Sequence, residues 1–215
     1  LLEWSPEKGF FPYVWETDKD GQDFPATYLN IWRSKFDSWL ATCCGADVLQ
    51  RKLVRSVSLN GAVRLTVQSR GGTGAAEEYA CQYLVGADGW NSTVRGCIDS
   101  QWREKKADVV IYQEYCAFDS IGSLKPGHWH VFFVPEVGDI LCCTHKKDDY
   151  LTLCMGAVPA KHVRQGMNTF KAFLAERFQV KLGRTARSEG CTIRQLPPNL
   201  GSNRVLLAGE AAGLA

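Results

Sequence analysis

Two short segments of this sequence place a glycine and an acid directly after an apolar run, an arrangement suited to holding the hydroxyl and phosphate groups of a nucleotide. The first is Leu84-Val85-Gly86-Ala87-Asp88-Gly89-Trp90-Asn91-Ser92-Thr93-Val94-Arg95. Glycine lets a backbone approach a ligand closely. The Asp88 carboxylate and the main-chain N–H groups around Gly89 can hold ribose hydroxyls and phosphate oxygens. Ser92 can cap the next helix and present its N-terminus to an anion, and Arg95 can anchor a phosphate or lock Asp88. The competing structural reading is a tight turn with a capping serine and a surface arginine. The second segment, Val205-Leu206-Leu207-Ala208-Gly209-Glu210-Ala211-Ala212-Gly213, repeats the logic. Here Glu210 can accept a ribose hydroxyl while the N–H groups of Ala211 to Gly213 face a pyrophosphate. Its structural alternative is a helix–strand junction in which small residues relieve crowding.

The elements that must position these turns follow from periodicity. Trp32, Phe36, Trp39, Leu40 and Cys43 follow helical spacing, with Gly45 as the stop. Asp47 to Leu49, Leu53 to Leu59 and Val63 to Ser69 read as strands, the last two joined by an Asn60-Gly61 hairpin turn. A Gly-rich loop, Arg70 to Ala76, leads to a strand from Glu78 to Val85 that runs into the first turn. Its continuous Tyr83-Leu84-Val85 suggests a parallel strand covered on both faces. Beyond Ala107, four strands (Val109 to Tyr115, His128 to Pro135, Ile140 to Thr144, Tyr150 to Val158) read as an antiparallel sheet. Turn signals at Lys125-Pro126-Gly127, Glu136-Val137-Gly138-Asp139 and Lys146-Lys147-Asp148-Asp149 separate them. Phe170, Phe173, Leu174 and Phe178 mark a helix capped at Asn168 or Thr169, and Arg204 to Ala208 is a final strand. Two buried parallel strands ending in glycine–acid turns thus flank about a hundred residues of antiparallel character, as when one domain interrupts another.

Bulk properties narrow the field. The 215 residues are 45% hydrophobic and 22% charged, enough apolar material for a packed core. Twenty-five basic against 23 acidic residues leave a net charge of +2, which gives no footprint for nucleic acid. No apolar run is long enough to span a bilayer. Nine cysteines, with vicinal pairs at Cys43-Cys44 and Cys142-Cys143 and no CxxC spacing, fit a reduced, cytoplasmic protein with buried thiols. Cys81 and Cys97 flank the first turn with no histidine close in sequence and read as inert. His128 and His130 share a strand face but lack a third ligand, so no metal site is expected.

The two turns resemble the DG motif (DGxxSxVR, Asp88 to Arg95) and the GD motif (GDAAG, Gly209 to Gly213) of FAD-dependent oxidoreductases with the para-hydroxybenzoate hydroxylase fold. RSKFDSWL, from Arg33 to Leu40, resembles the RxxFDxWL segment of the family's geranylgeranyl reductase branch. The resemblance implies a fold of mixed α/β and α+β type: a partial FAD-binding Rossmann-type layer (29–95 and 196–215) interrupted by an antiparallel substrate domain (96–195, with 1–28). It places Arg33 near the adenosine or pyrophosphate end of FAD. Asp88 would lie at the ribityl or pyrophosphate surface and the NAD(P)H approach, and Glu210 near the ribityl and pyrophosphate groups. Asp37 reads as structural, a salt-bridge partner of a basic neighbour, and Phe36, Trp39 and Leu40 as packing residues.

Three departures qualify this. No GxGxxG run occurs, so the first FAD-binding turn is expected to lie upstream of this chain, which looks cut at both ends. The GD acid is Glu210, not Asp. The YxWxFP run of the reductase branch is reduced to His130-Val131-Phe132-Phe133-Val134-Pro135. In this aromatic strand Trp129, His130, Phe132 and Phe133 are candidates to line an apolar substrate pocket, and a sheet packed on both faces is the equal alternative. No acid, base or nucleophile stands out for catalysis, as expected where a flavin carries the chemistry. The expected activity is reduction of an isoprenoid C=C bond or hydroxylation of an aromatic compound. Peripheral membrane contact and self-association through exposed sheet edges are compatible with it. The competing expectations are a substrate-binding module without cofactor and a structural α+β domain.

Overall fold

A computed structural model describes residues 30–71, 74–102, 108–135, 137, 141–157, 163–194 and 197–214. The expectations for residues 1–28, for the middle of the Gly-rich loop (72–73), for the turn at Glu136, Gly138 and Asp139, and for the strand ends Ala107, Ile140 and Val158 lie outside these residues. The chain divides into two units, Leu1–Val48 and Leu49–Ala215.

In the first unit the helical spacing gives α1 (Arg33–Cys43), which begins after Trp32 and ends before Gly45 at φ 64°. Arg33 Nε and Asp37 Oδ1 pair at 2.6 Å one turn apart, the neighbour salt bridge expected for Asp37. Phe36 and Trp39 stack at 5.8 Å between ring centroids. These two residues and Leu40 are exposed, not packed as their spacing suggested. Asp47 to Leu49 form no strand.

The second unit opens with an antiparallel sheet of β1 (Lys52–Ser58), β2 (Val63–Ser69) and β3 (Glu77–Cys81). The hairpin is present, but Ser58 pairs with Arg64 and only Gly61 has positive φ, so the loop is longer than a two-residue turn. The single strand expected from Glu78 to Val85 is two. β3 pairs with β2, and after a break at Gln82 and Tyr83 the chain enters another sheet as β4 (Leu84–Gly86). β4 runs parallel to β11 (Val205–Leu207), with Leu84 opposite Val205 and Gly86 opposite Leu207. β10 (Gly201–Ser202) pairs antiparallel with β11 on the far side. Tyr83 and Val85 are exposed, which corrects the expectation of a strand covered on both faces. α2 (Thr93–Ile98) packs on β4 and β11 through Val94 and Ile98, around a small core of Val94, Val205, Leu207 and Ala212.

Between these strands lies the antiparallel sheet β6-β7-β8-β5-β9, built from β5 (Asp108–Ser120), β6 (His130–Phe132), β7 (Cys142–Lys147), β8 (Tyr150–Ala157) and β9 (Lys181–Arg194). α3 (Val163–Phe178), which starts well before the cap expected at Asn168 or Thr169, covers one face. Alternation assigns the faces. Leu151, Leu153 and Met155 of β8, Cys142 of β7 and Phe132 of β6 meet Met167, Phe170 and Leu174 of α3. Gly166 lets the helix approach, since a Cβ there would lie 2.5 Å from Met155 Cε. The long edge strand β9 carries no apolar alternation in KLGRTARSEGCTIR, and it pairs with β5 from Asp108↔Arg194 to Ser120↔Lys181.

Candidate functional site

The turn after β4 is organised by its acid. Asp88 Oδ2 accepts the backbone N–H groups of Thr93 at 2.7 Å and Val94 at 3.2 Å, and Asp88 Oδ1 accepts the Ser92 hydroxyl. Ser92 Oγ in turn accepts Arg95 N–H at 2.8 Å, the N-cap expected of it. The first N–H groups of α2 are therefore satisfied by the chain itself, and Ser92 is 0% exposed. The expectation that Ser92 presents a helix end to an anion is corrected: the anion there is Asp88.

Arg95 is corrected in the same way. It is 1% exposed, and its Nη1 and Nη2 donate to Ala211 O at 3.1 Å and Pro197 O at 3.0 Å, while Asp99 lies 3.7 Å away. It neither reaches solvent nor pairs with Asp88. Its guanidinium fastens the turn after β4 to the turn after β11, and so sets the spacing of both motifs. No feature of the sequence distinguished this role from phosphate binding, because both need an arginine near a helix start.

The turn after β11 is a 3₁₀ segment, Gly209–Ala212, closed by Gly213 at φ 77°. Gly209 takes φ 56° and has open space where a Cβ would stand. Glu210 lies against the first turn: a Cβ on Gly89, which has φ 76°, would sit 3.8 Å from Glu210 Oε2. Glu210 Oε1 is buried with no hydrogen-bond partner among the described residues. Ala211 and Ala212 are buried, as the close-packed junction reading expected, and the Gly213 N–H expected to face a pyrophosphate donates to Glu210 O at 3.0 Å within the turn. The parallel strands thus bring Gly89, Gly209 and Glu210 together at their carboxyl ends, with one acceptor left open. Arg33 belongs to the other unit, where its side chain pairs with Asp37.

The sheet face opposite α3 carries Gln113 and Tyr115 of β5, Cys143 and His145 of β7, Cys154 of β8, and Glu189 and Cys191 of β9. Tyr115 donates to Glu189 Oε1 at 2.7 Å, and burial, then this carboxylate, push its phenol up to about 12. The thiol of Cys191 is pushed up by burial and then by the charges of Glu210 and Glu189. Sequence reasoning missed Glu189 and Cys191 because β9 gave no strand signal, and it passed over Gln113 and Tyr115 of β5 because their partner Glu189 lies on that unread strand.

Of the four residues expected to line a pocket, alternation separates two from two. Phe132 is 8% exposed and packs edge-on against Phe170, Phe173 and Phe178 at centroid distances of 5.7, 5.6 and 5.3 Å. It is a core residue. His130 points the same way, stacks on Phe132 and shares a ring-nitrogen hydrogen bond with Lys125 O at 3.1 Å. Burial holds its imidazole below the usual range. Trp129 and Phe133 are 49% and 47% exposed. Among the described residues no group of three or more His, Cys, Asp or Glu could hold a metal ion, and no helix is long and apolar enough to cross a membrane.

Comparison with known proteins bears on this geometry. Residues 38–166 match the family described as an FAD binding domain. Protein CbrA of Escherichia coli O9:H4 (strain HS) is 29% identical across 89% of this chain and 51% of its own length, and the protein of the same name from strain K12 is 28% identical across 89% and 53%. The chain spans about half the length of the curated relatives it matches. Among solved structures it is similar to CmlS, a flavin-dependent halogenase (TM-score 0.59, 19% identity, 84% of this chain and 35% of that one). It is also similar to a geranylgeranyl bacteriochlorophyll reductase-like protein from Thermoplasma acidophilum (TM-score 0.59, 16% identity, 85% and 47%). At these identities the likeness is one of fold: mixed α/β with antiparallel sheets, as the motifs implied.

Proposed function

Because this chain belongs to the FAD binding domain family, we propose that it forms the second half of the FAD site and the substrate sheet of an FAD-dependent oxidoreductase acting on an apolar small molecule. The observation that carries this is Glu210 at the carboxyl ends of two parallel strands, whose Oε1 is buried with no partner among the described residues while its Oε2 faces Gly89. A buried acceptor without a donor costs roughly 1–3 kcal/mol, and a ligand hydroxyl would remove that cost. Ligands of open α/β layers bind at this end of the strands. The residues present fit FAD: Glu210 takes a ribityl hydroxyl, and Gly89 and Gly209 admit the cofactor against the backbone. Asp88 and Arg95 act from behind, one holding α2 and the other the spacing of the turns.

FAD, when bound, supplies the hydride and electron transfer that side chains lack. The chain's residues orient substrate and exclude water. Trp129 and Phe133 give the sheet face an apolar rim, while Tyr115, Gln113 and Glu189 offer fixed hydrogen bonds for a polar end. The likeness to halogenase and reductase folds supports the oxidoreductase class, and NAD(P)H is the electron source we infer for it.

The test is titration of the full-length protein with FAD, read by flavin absorbance and fluorescence. Flavin binding that weakens at least tenfold in Glu210→Ala, and less in Glu210→Gln, supports the reading. A folded full-length protein that ignores FAD would refute it and leave the cofactor-free binding module.

A further inference from the structure

Cys143 and Cys154 stand opposite each other on β7 and β8. Two residues along the same ladder, Gly156 N–H donates to Leu141 O at 3.0 Å. Ladder alternation then makes Cys143 and Cys154 a hydrogen-bonded pair, with Cα atoms about 5.5 Å apart. That value lies within the roughly 5.5–6 Å at which disulfide-bridged residues most often sit. Both are free thiols whose side chains share the sheet face opposite α3. Cys142 opposes Met155 on the other face, and Cys191 is separated from Cys154 by the whole of β5, about 10 Å at the usual strand spacing. The pairing is therefore selective among the nearby thiols.

The two sulfurs differ in environment. The Cys154 thiol and the indole N–H of Trp129, a group that can only donate, stand beside Cys143. These donors stabilise negative charge on Cys143 and hold its thiol below the ordinary range against the effect of burial. Cys154, which faces the Cys143 thiol and is buried beside other thiols, is pushed up. One member is set to attack as thiolate and its neighbour to resolve.

We propose that Cys143 and Cys154 are a reversible dithiol–disulfide pair that reacts with low-molecular-weight disulfides. The Cys143 thiolate attacks one sulfur of the small disulfide and expels its first thiolate. Cys154 then loses its proton and attacks the Cys143 sulfur, expelling the second. The protein gives up two electrons and two protons, the small disulfide leaves as two thiols, and β7 and β8 become cross-linked. Cys143 is 5% exposed and Cys154 half-buried, so the reagent must be small. The proposal does not depend on flavin binding.

The experiment incubates the full-length protein with glutathione disulfide, blocks remaining thiols with iodoacetamide and maps the non-reduced peptides by mass. The expected result is a Cys143–Cys154 cross-linked peptide that dithiothreitol abolishes. In Cys154→Ser, glutathione stays on Cys143, and in Cys143→Ser, Cys154 is left unmodified. If Cys143 and Cys154 both carry the alkyl label while exposed Cys43, Cys44 and Cys191 take up glutathione, the pair is not redox-active. Glutathione accumulating on Cys154 of the unaltered protein would equally overturn the assignment. Should either serine variant fail to fold, the map of the unaltered protein decides alone.

Discussion

Replacing Arg95 with methionine tests whether the arginine of the first motif is a fastener or a ligand group. The change keeps the apolar stem but strips Ala211 O and Pro197 O of their donors. Hydrogen bonds from a charged donor are worth roughly 1.5–3 kcal/mol each. Relief from burying a guanidinium whose nearest carboxylate is 3.7 Å away offsets part of the loss. The net expected destabilisation is about 3 kcal/mol, or a fall of about 6–12 °C in Tm for a chain of this size. Urea unfolding followed by circular dichroism, with no FAD added, measures it. Arg95→Lys, which keeps the charge but reaches one carbonyl at most, should recover less than half. A change within about 0.5 kcal/mol for Arg95→Met, the range of ordinary surface substitutions, would refute the fastening role.

Four further outcomes follow from the geometry. Gly86→Ala forces a Cβ to within 2.6 Å of Val94 Cβ and 2.9 Å of Leu207 Cδ2, and should cost about 1–3 kcal/mol in urea unfolding. Phe132→Ala empties the aromatic cluster under α3 and should cost about 3–5 kcal/mol, with no change in ligand affinity at the opposite face measured by titration. Lys171→Met removes the partner of Glu114, a carboxyl that burial pushes up but Lys171, Thr185 and Tyr112 together hold below its usual range. Stability present near neutrality should then fall by about 2–3 kcal/mol, and the difference from the parent should shrink as pH falls and Glu114 protonates. His145 is held below its usual range by burial and then by Lys147, so the folded state binds its proton less readily than the unfolded state. The stability it contributes is present above about pH 6.5 and lost below it, and His145→Asn should flatten the acid limb of a Tm-against-pH curve.

The glycine–acid turns, the hairpin, and the inserted antiparallel sheet were legible because each has a local signature: a breaker after an apolar run, Asn-Gly, or alternation. The strand β9 was not, since KLGRTARSEGCTIR is a polar edge strand whose pairing with β5 is decided by a partner about seventy residues away. The break at Gln82 and Tyr83 was hidden because β3 and β4 are contiguous in sequence and differ only in which sheet accepts them. At the site, Gly89, Gly209 and Glu210 could be picked out by type. The inward aim of Arg95, Ser92 and Phe132 could not, because it depends on which carbonyls, carboxylate and rings the fold carries to them.

The register Asp108↔Arg194 means that the inserted sheet returns the chain almost to its point of departure. A freely coiled excursion from β4 to β11 would carry the closure cost of some 118 residues. With the ends of the sheet already side by side, only its short leads need ordering, a saving of about 1 kcal/mol by the logarithmic dependence on length. The excursion behaves as a self-contained bracket in the sentence of the chain. Its length and contents can change, through longer strands or another pocket, while the two glycine turns on either side still meet.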